Sequence, residues 1–342
     1  MESPFRNGSP VPLPDSLWAA TTASPPTLAS LNRTRSADVV VVGAGFMGLA
    51  TALALADAGA DVTIIEAAEV GWGASGRNNG LLTAGLKRDP HEVRKLLGNE
   101  AAERLLQLSA AAPAEVARLV ETHRIECDLR RSGWIQAAHS SRAMPLIERR
   151  VRDWRALGAD VDLVDQDTVN ERLGTTFYSG AWYDPRGGSL NPLAFVRGLA
   201  RAAIDRGIPV YRQTPALSID RVNGRWQVTT PDGALSCDNV VACTNAYNNL
   251  LPQLRGTVIP LRTAQIASVP LASEQSRTIL PGGESASDTQ RLLTSFRLTA
   301  DHRLIMGGAS ATAGDEHSRL FARLHQAAKD RFPQLGHIDW QY

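Results

Sequence analysis

Asp38-Val39-Val40-Val41-Val42-Gly43-Ala44-Gly45-Phe46-Met47-Gly48 joins an unbroken apolar, β-branched run to three glycines spaced G-x-G-x-x-G. A strand covered on both faces needs no polar alternation, so residues 38–42 predict a buried parallel strand. A helix is expected over 47–58, stopped by Gly59, and a second strand over 62–65 completes a β-α-β unit. Each glycine then has its own task. Gly43 permits the tight turn, Gly45 lets backbone approach a pyrophosphate, and Gly48 lets the helix pack on the strand. The phosphates would meet the positive helix N-terminus, which brings Ala44, Phe46 and Met47 into the candidate site. Glu66 ends the second strand 18 residues after Gly48, with Ala67 beside it, where a carboxylate can accept hydrogen bonds from ribose hydroxyls. An acid there, rather than an arginine, disfavours a ligand carrying a 2′-phosphate.

NAD and FAD sites share this first unit, so the choice between them falls on Gly71-Trp72-Gly73-Ala74-Ser75-Gly76-Arg77-Asn78-Asn79-Gly80. Gly73, Ala74 and Gly80 allow close backbone approach. Arg77 supplies a fixed cation, and Ser75, Asn78 and Asn79 supply hydroxyl and amide donors. Placed just after the ribose-binding acid, this loop favours FAD; without the preceding unit it would read as a solvated turn.

The rest of the chain departs from a repeated β-α pattern. Residues 90–123 read as helical with a break at Pro113. Strand candidates follow at 127–130 and 134–138, then a helix at 143–157, a strand at 161–164 and a short helix after Asp167. Asn191-Pro192 is a helix start, an N-cap before a proline in the first turn. That helix runs to about 205 and ends at Gly207. Strands at 210–213, 217–222 and 225–230 form a meander with turns at Asn223-Gly224 and Asp232-Gly233. A strand at 239–242 returns to the nucleotide-binding core. A second, antiparallel sheet is expected from 264–269, 291–298 and 303–307, the last two joined at Asp301-His302. A helix at 317–332 and a strand-like 338–342 end the sequence.

Bulk properties exclude several functions. The 342 residues allow two lobes, and 43% hydrophobic with 21% charged content excludes a disordered or fibrous chain. With 36 Lys plus Arg against 35 Asp plus Glu, no net field draws the chain to nucleic acid or an anionic membrane. Residues 39–60 are apolar enough to suggest a membrane span, but Gly43, Gly45, Gly48 and Asp57 favour strand, turn and helix instead. Residues before Ser36 are rich in proline, serine and threonine, have no signal-peptide pattern, and read as an extended lead-in. Cys127, Cys237 and Cys243 show no ligand spacing and suggest reduced thiols in the cytoplasm; the dispersed histidines suggest neither metal nor triad.

These motifs resemble the FAD-dependent oxidoreductases of the D-amino acid oxidase type, within them the branch similar to gamma-glutamylputrescine oxidoreductase. The resemblance is carried by residues 15–21, 38–48, 71–80 and 191–200, and extends through 240–247, 260–262 and 297–304. Its most specific part is Trp72-Gly73-Ala74-Ser75-Gly76-Arg77-Asn78. It implies an α/β fold, with a Rossmann-like FAD-binding domain of the glutathione-reductase type and an antiparallel-sheet α+β substrate domain. The expected organisation is a lead-in over 1–36, an FAD-binding domain over 37–85 and 186–250, and a substrate domain over 86–185 and 251–342. Ser75, Arg77, Asn78 and Gly80 would lie along the FAD, Ala242 and Thr244 close to it, and Ala216 on its adenine side.

By the same resemblance, an amine or amino acid loses hydride to the flavin, the imine is hydrolysed, and oxygen or another acceptor takes the electrons. Negative charge growing on the flavin ring asks for a cation, and Arg77 and Arg262 are the candidates for this or for a substrate carboxylate. The sequence departs from the family at Asn79, where a second glycine is usual, and at Leu81, where a polar residue is common. The family also continues past Tyr342 with further strands, a glycine-rich turn and a helix, so the substrate domain is expected to be truncated. Two other readings stay open: an NAD-dependent dehydrogenase, and a catalytically silent remnant or binding module.

Overall fold

The computed structural model describes residues 11–247, 250–254, 256–258, 262–311 and 317–342. The chain forms two compact units. The first is Met1–Asn78, His123–Cys127 and Asn191–Pro260; the second is Asn79–Thr122, Asp128–Leu190 and Leu261–Tyr342.

In the first unit the elements are α1 (Leu17–Thr21), β1 (Arg35–Val42), α2 (Phe46–Asp57), β2 (Val62–Ile65), α3 (Pro192–Asp205), β3 (Val210–Tyr211), β4 (Ser218–Val222), β5 (Arg225–Thr230) and β6 (Gly233–Ala242). The sheet order is β3-β2-β1-β6-β5-β4. β1 lies parallel to β2 and β6, β2 is parallel to β3, and β5 runs antiparallel to both β6 and β4. Val39 to Val42 and all four residues of β2 are buried, which explains why these strands carry no polar alternation. Asn191 caps α3 by accepting the Ala194 N–H at 3.1 Å, with Pro192 in the first turn.

Three expectations change here, the first being that Val210–Tyr211 is not part of the meander but pairs in parallel with β2 at the opposite edge of the sheet. The lead-in is not merely extended: Ser16 caps α1, and Leu17 and Trp18 are buried in the unit. The returning strand covers ten residues rather than four, because its first half pairs with β5 as well as β1. Glycine and polar residues at 233, 236 and 238 break the apolar run that the sequence reading needed.

The second unit is built on a seven-stranded sheet, in the order Arg262–Ala267, Leu304–Ala311, Thr294–Leu298, Ser285–Asp288, Trp134–Ala137, Ala181–Asp184, Asp162–Val164. Its neighbours are antiparallel except for Ser285–Asp288 and Trp134–Ala137, which are parallel, so the expected antiparallel sheet contains one parallel pair. Phe296, Met306, Leu324 and Phe332 belong to its core. The long helical region breaks at Gly98, not at Pro113, which lies inside the helix Asn99–Thr122. A proline deprives the carbonyl four residues earlier of its donor, and here Ser109 O accepts the Gly85 N–H at 3.0 Å instead. The expected strands at 127–130 and 338–342 reduce to isolated bridges, Arg130 to Ser189 and Ser268 to Trp340. Among the described residues no helix is long and apolar enough to cross a membrane.

Candidate functional site

Register brings the carboxyl ends of three parallel strands of the first unit together, with Val42 beside Ile65 of β2 and Ala242 of β6. Gly43, Glu66 and Cys243 follow those ends. In open α/β sheets this is where ligands bind. Gly43 N–H donates to Ile65 O at 2.7 Å, and Cys243 N–H donates to Val42 O at 2.8 Å, so the loops leave the sheet in fixed directions. Gly43 has φ +110°, and a Cβ on it would lie 2.6 Å from Cys243 O; no other residue fits there. A Cβ on Gly45 would lie 2.8 Å from Ser75 Oγ, and that hydroxyl accepts the Phe46 N–H at 3.0 Å. The start of α2 and the following loop therefore form one cradle.

A cavity of about 620 Å³ opens over these ends. Of the predicted residues, Gly43, Ala44, Gly45, Glu66, Ala67, Gly73, Ala74, Ser75, Ala216 and Thr244 line it. Sequence reasoning missed Trp72, Thr214, Asn245 and Tyr247 as lining residues. Trp72, Asn245 and Tyr247 lie in stretches that carry the family resemblance, 71–80 and 240–247, while Thr214 was signalled only by its place in a loop beside the predicted strands.

Six predicted residues of the first unit lie outside the lining. Phe46 packs on Phe195 with ring centroids 5.3 Å apart, Met47 is 71% exposed, and Gly48 serves helix packing against Gly43. Ala242 is the last residue of β6 and is exposed. Arg77 and Asn78 act on the loop walls. The Arg77 guanidinium sits 4.5 Å from the centre of the Trp72 ring, and its Nη2 donates to Tyr247 Oη at 3.2 Å. Asn78 Nδ2 donates to the carbonyls of Ala74 and Ser75, each at 3.0 Å.

Asn79 and Gly80 belong to the second unit. Asn79 Nδ2 donates to Ser295 Oγ at 2.8 Å, and Arg297 Nε donates to Asn79 O at 2.8 Å. Arg297 is only 1% exposed, and burial, its largest influence, lowers its pKa to about 10. Arg262 opens the strand Arg262–Ala267, and its side chain lies outside the described residues.

Glu66 is half-buried at the end of β2. Its Oε2 accepts the Ala44 N–H at 2.8 Å and its Oε1 the Ala68 N–H at 3.0 Å. Burial raises its pKa above the ordinary 4.5, against these N–H bonds, which lower it. Each carboxylate oxygen retains acceptor capacity. A glycine turn, an open helix N-terminus and an acceptor carboxylate on one cavity fit the phosphates and sugar of an adenine dinucleotide.

Residues 38–342 match the family described as DAO, FAD dependent oxidoreductase. The chain belongs to this family of FAD-dependent oxidoreductases, and its cofactor is FAD. That sets aside the NAD-dependent dehydrogenase reading. It is 31% identical over 318 residues to the probable oxidoreductase OrdL of Haemophilus influenzae, covering 91% of this chain and 73% of that protein. It is also 29% identical over 316 residues to the gamma-glutamylputrescine oxidoreductase of Escherichia coli, covering 92% and 74%. The glycine oxidase structure from Geobacillus kaustophilus superposes with a TM-score of 0.72 at 22% identity, covering 90% and 81%, which speaks for the fold.

Proposed function

We propose that this chain oxidises an amine or amino acid, with the first unit holding FAD and the second taking the substrate. The observation that carries this reading is the crevice at the ends of β1, β2 and β6, with Glu66 half-buried in its wall. In this reading the N-terminus of α2 faces the diphosphate, Glu66 accepts from the ribose hydroxyls, and the segment around Ala216 borders the adenine. Bound FAD supplies a hydride acceptor that no amino-acid side chain provides. The nitrogen-bearing carbon of the substrate gives up a hydride and the nitrogen a proton, leaving an imine that water hydrolyses to a carbonyl and ammonia or a smaller amine. Oxygen or another acceptor then takes the two electrons.

Arg77 holds Trp72 and Tyr247, so its part is to keep the cavity walls in place. Arg262 is the remaining candidate for a substrate carboxylate. The amine class rests on the gamma-glutamylputrescine oxidoreductase relative and on a glycine oxidase from Geobacillus kaustophilus, 27% identical over 213 residues. Three free thiols support a reducing compartment such as the cytoplasm.

Anaerobic mixing of the FAD-loaded protein with gamma-glutamylated diamines, glycine, N-methylglycine and D-amino acids tests this. At least one should bleach the flavin absorbance, with formation of the matching carbonyl product. Unchanged absorbance with every amine, from protein that holds FAD, would overturn the substrate class.

A further inference from the structure

Two indole N–H groups connect the lead-in to opposite ends of the loop that walls the crevice. Trp72 Nε1 donates to the Pro12 carbonyl at 2.8 Å, and Trp18 Nε1 donates to the Asn78 carbonyl at 3.0 Å. Arginines fix the rest of the segment by its backbone. Arg197 donates to Ala23 O at 2.6 Å, Arg201 to Ser24 O at 2.7 Å and Arg212 to Leu28 O at 2.8 Å. Trp18 is 5% exposed and Asn78 half-buried, so their hydrogen bond is partly shielded from water.

The loop packs on α3 through Gly71 and Gly76 and closes short turns of its own backbone, and the two indole bonds tie its ends to the lead-in. Gly71, Gly73 and Gly76 leave its backbone much freedom, and its regular structure is one 3₁₀ turn, Ala74–Gly76. Asn78 braces that turn through Ala74 O and Ser75 O, and Ser75 Oγ accepts from Phe46 N–H at the start of α2. A hydrogen-bonded path thus runs from Trp18, through Asn78 and Ser75, to the helix end where the proposed function puts the diphosphate. A loop already ordered before binding spares the ligand the entropy of ordering it.

We infer that Trp18 is a positioning residue for FAD: by fixing the Asn78 carbonyl, it holds loop 73–78 in the conformation that retains the cofactor. This rests on the crevice being the FAD site. Trp18 does not line the cavity. It acts through Asn78, and the lead-in is a working part of the site.

The test measures FAD dissociation constants and release rates of Trp18→Phe, Arg201→Ala and Asn78→Asp beside the wild type. Trp18→Phe keeps an aromatic ring but loses the donor, and should weaken FAD binding about tenfold, mainly through faster release. Arg201→Ala loosens the same segment away from the loop and should leave release unchanged. Asn78→Asp keeps the carbonyl but loses the amide donors, and should release FAD faster as well. A merely structural Trp18 would lower the melting temperature of FAD-free protein with FAD release unaltered, which overturns the inference. Should Trp18→Phe fail to fold, wild-type release from Asn78→Asp has the same force. A wild type that binds no FAD would instead defeat the underlying assignment of the crevice.

Discussion

Glu66 places a carboxylate, half-buried, in the wall of the crevice. Its place, at the end of a strand and 18 residues beyond Gly48, follows from spacing alone. Its two backbone donors, Ala44 and Ala68, and its raised pKa come from the fold. Glu66→Gln replaces one acceptor oxygen with an amide that must face a backbone N–H. Titration with FAD should show a loss of about 1.5–3 kcal/mol in binding, as for hydrogen bonds to charged groups; an unchanged affinity would remove Glu66 from the site. The sign of the pH effect follows from the raised folded pKa. Whatever protonated Glu66 adds to the stability of FAD-free protein is fully present below 4.5 and is lost as the pH rises through the higher folded value. Denaturation of FAD-free wild type and Glu66→Gln across mildly acidic pH should show that slope in the wild type and not in the variant. Arg77 and Asn78 were legible as loop residues of the site, but their use as braces was not. It depends on Tyr247 arriving from the far strand and on how the 3₁₀ turn presents its carbonyls.

Among elements, those whose pattern is local were readable and those made by pairing were not. β2 and β5 coincide with expectation, because a β-branched run or a hairpin turn at Asn223-Gly224, with φ +49° and +83°, announces them. Ser285–Asp288 is the opposite case. Ser-Ala-Ser-Asp has no β-branched residue and no alternation, yet all four are buried, in a parallel pair with Trp134–Ala137. Its stability comes from its neighbours. Asp288 is the anchor: Oδ2 accepts from Arg331 Nη2 at 2.5 Å and Oδ1 from the Thr294 N–H at 3.0 Å, while Arg331 Nε donates to Tyr178 Oη at 2.7 Å. Arg331 and Asp288 are almost fully buried, so removing one partner strands a charge. Arg331→Met should cost about 3–5 kcal/mol in chemical denaturation. A loss near that of a surface pair, under about 1 kcal/mol, would show that the ion pair is not what joins the helix His317–Arg331 to the sheet.

For the whole molecule, the division of labour was readable in outline. The nucleotide-binding half begins with a continuous signal, while the seven-stranded sheet draws strands from 134–137 and from 304–311, far apart in sequence, and no local pattern foretells that pairing. The consequence of the FAD assignment at this scale is linkage. A ligand that binds only the folded chain stabilises it by about 2.7 kcal/mol at a hundred times its dissociation constant, so the melting temperature should climb with added FAD. The most direct measurement is a titration of FAD-free protein with FAD, following the quenching of flavin fluorescence and repeated in excess NAD. One FAD per chain should bind to saturation, undisturbed by NAD. Fluorescence that stays that of free flavin at every protein concentration, or FAD displaced by NAD, would contradict the assignment of this crevice.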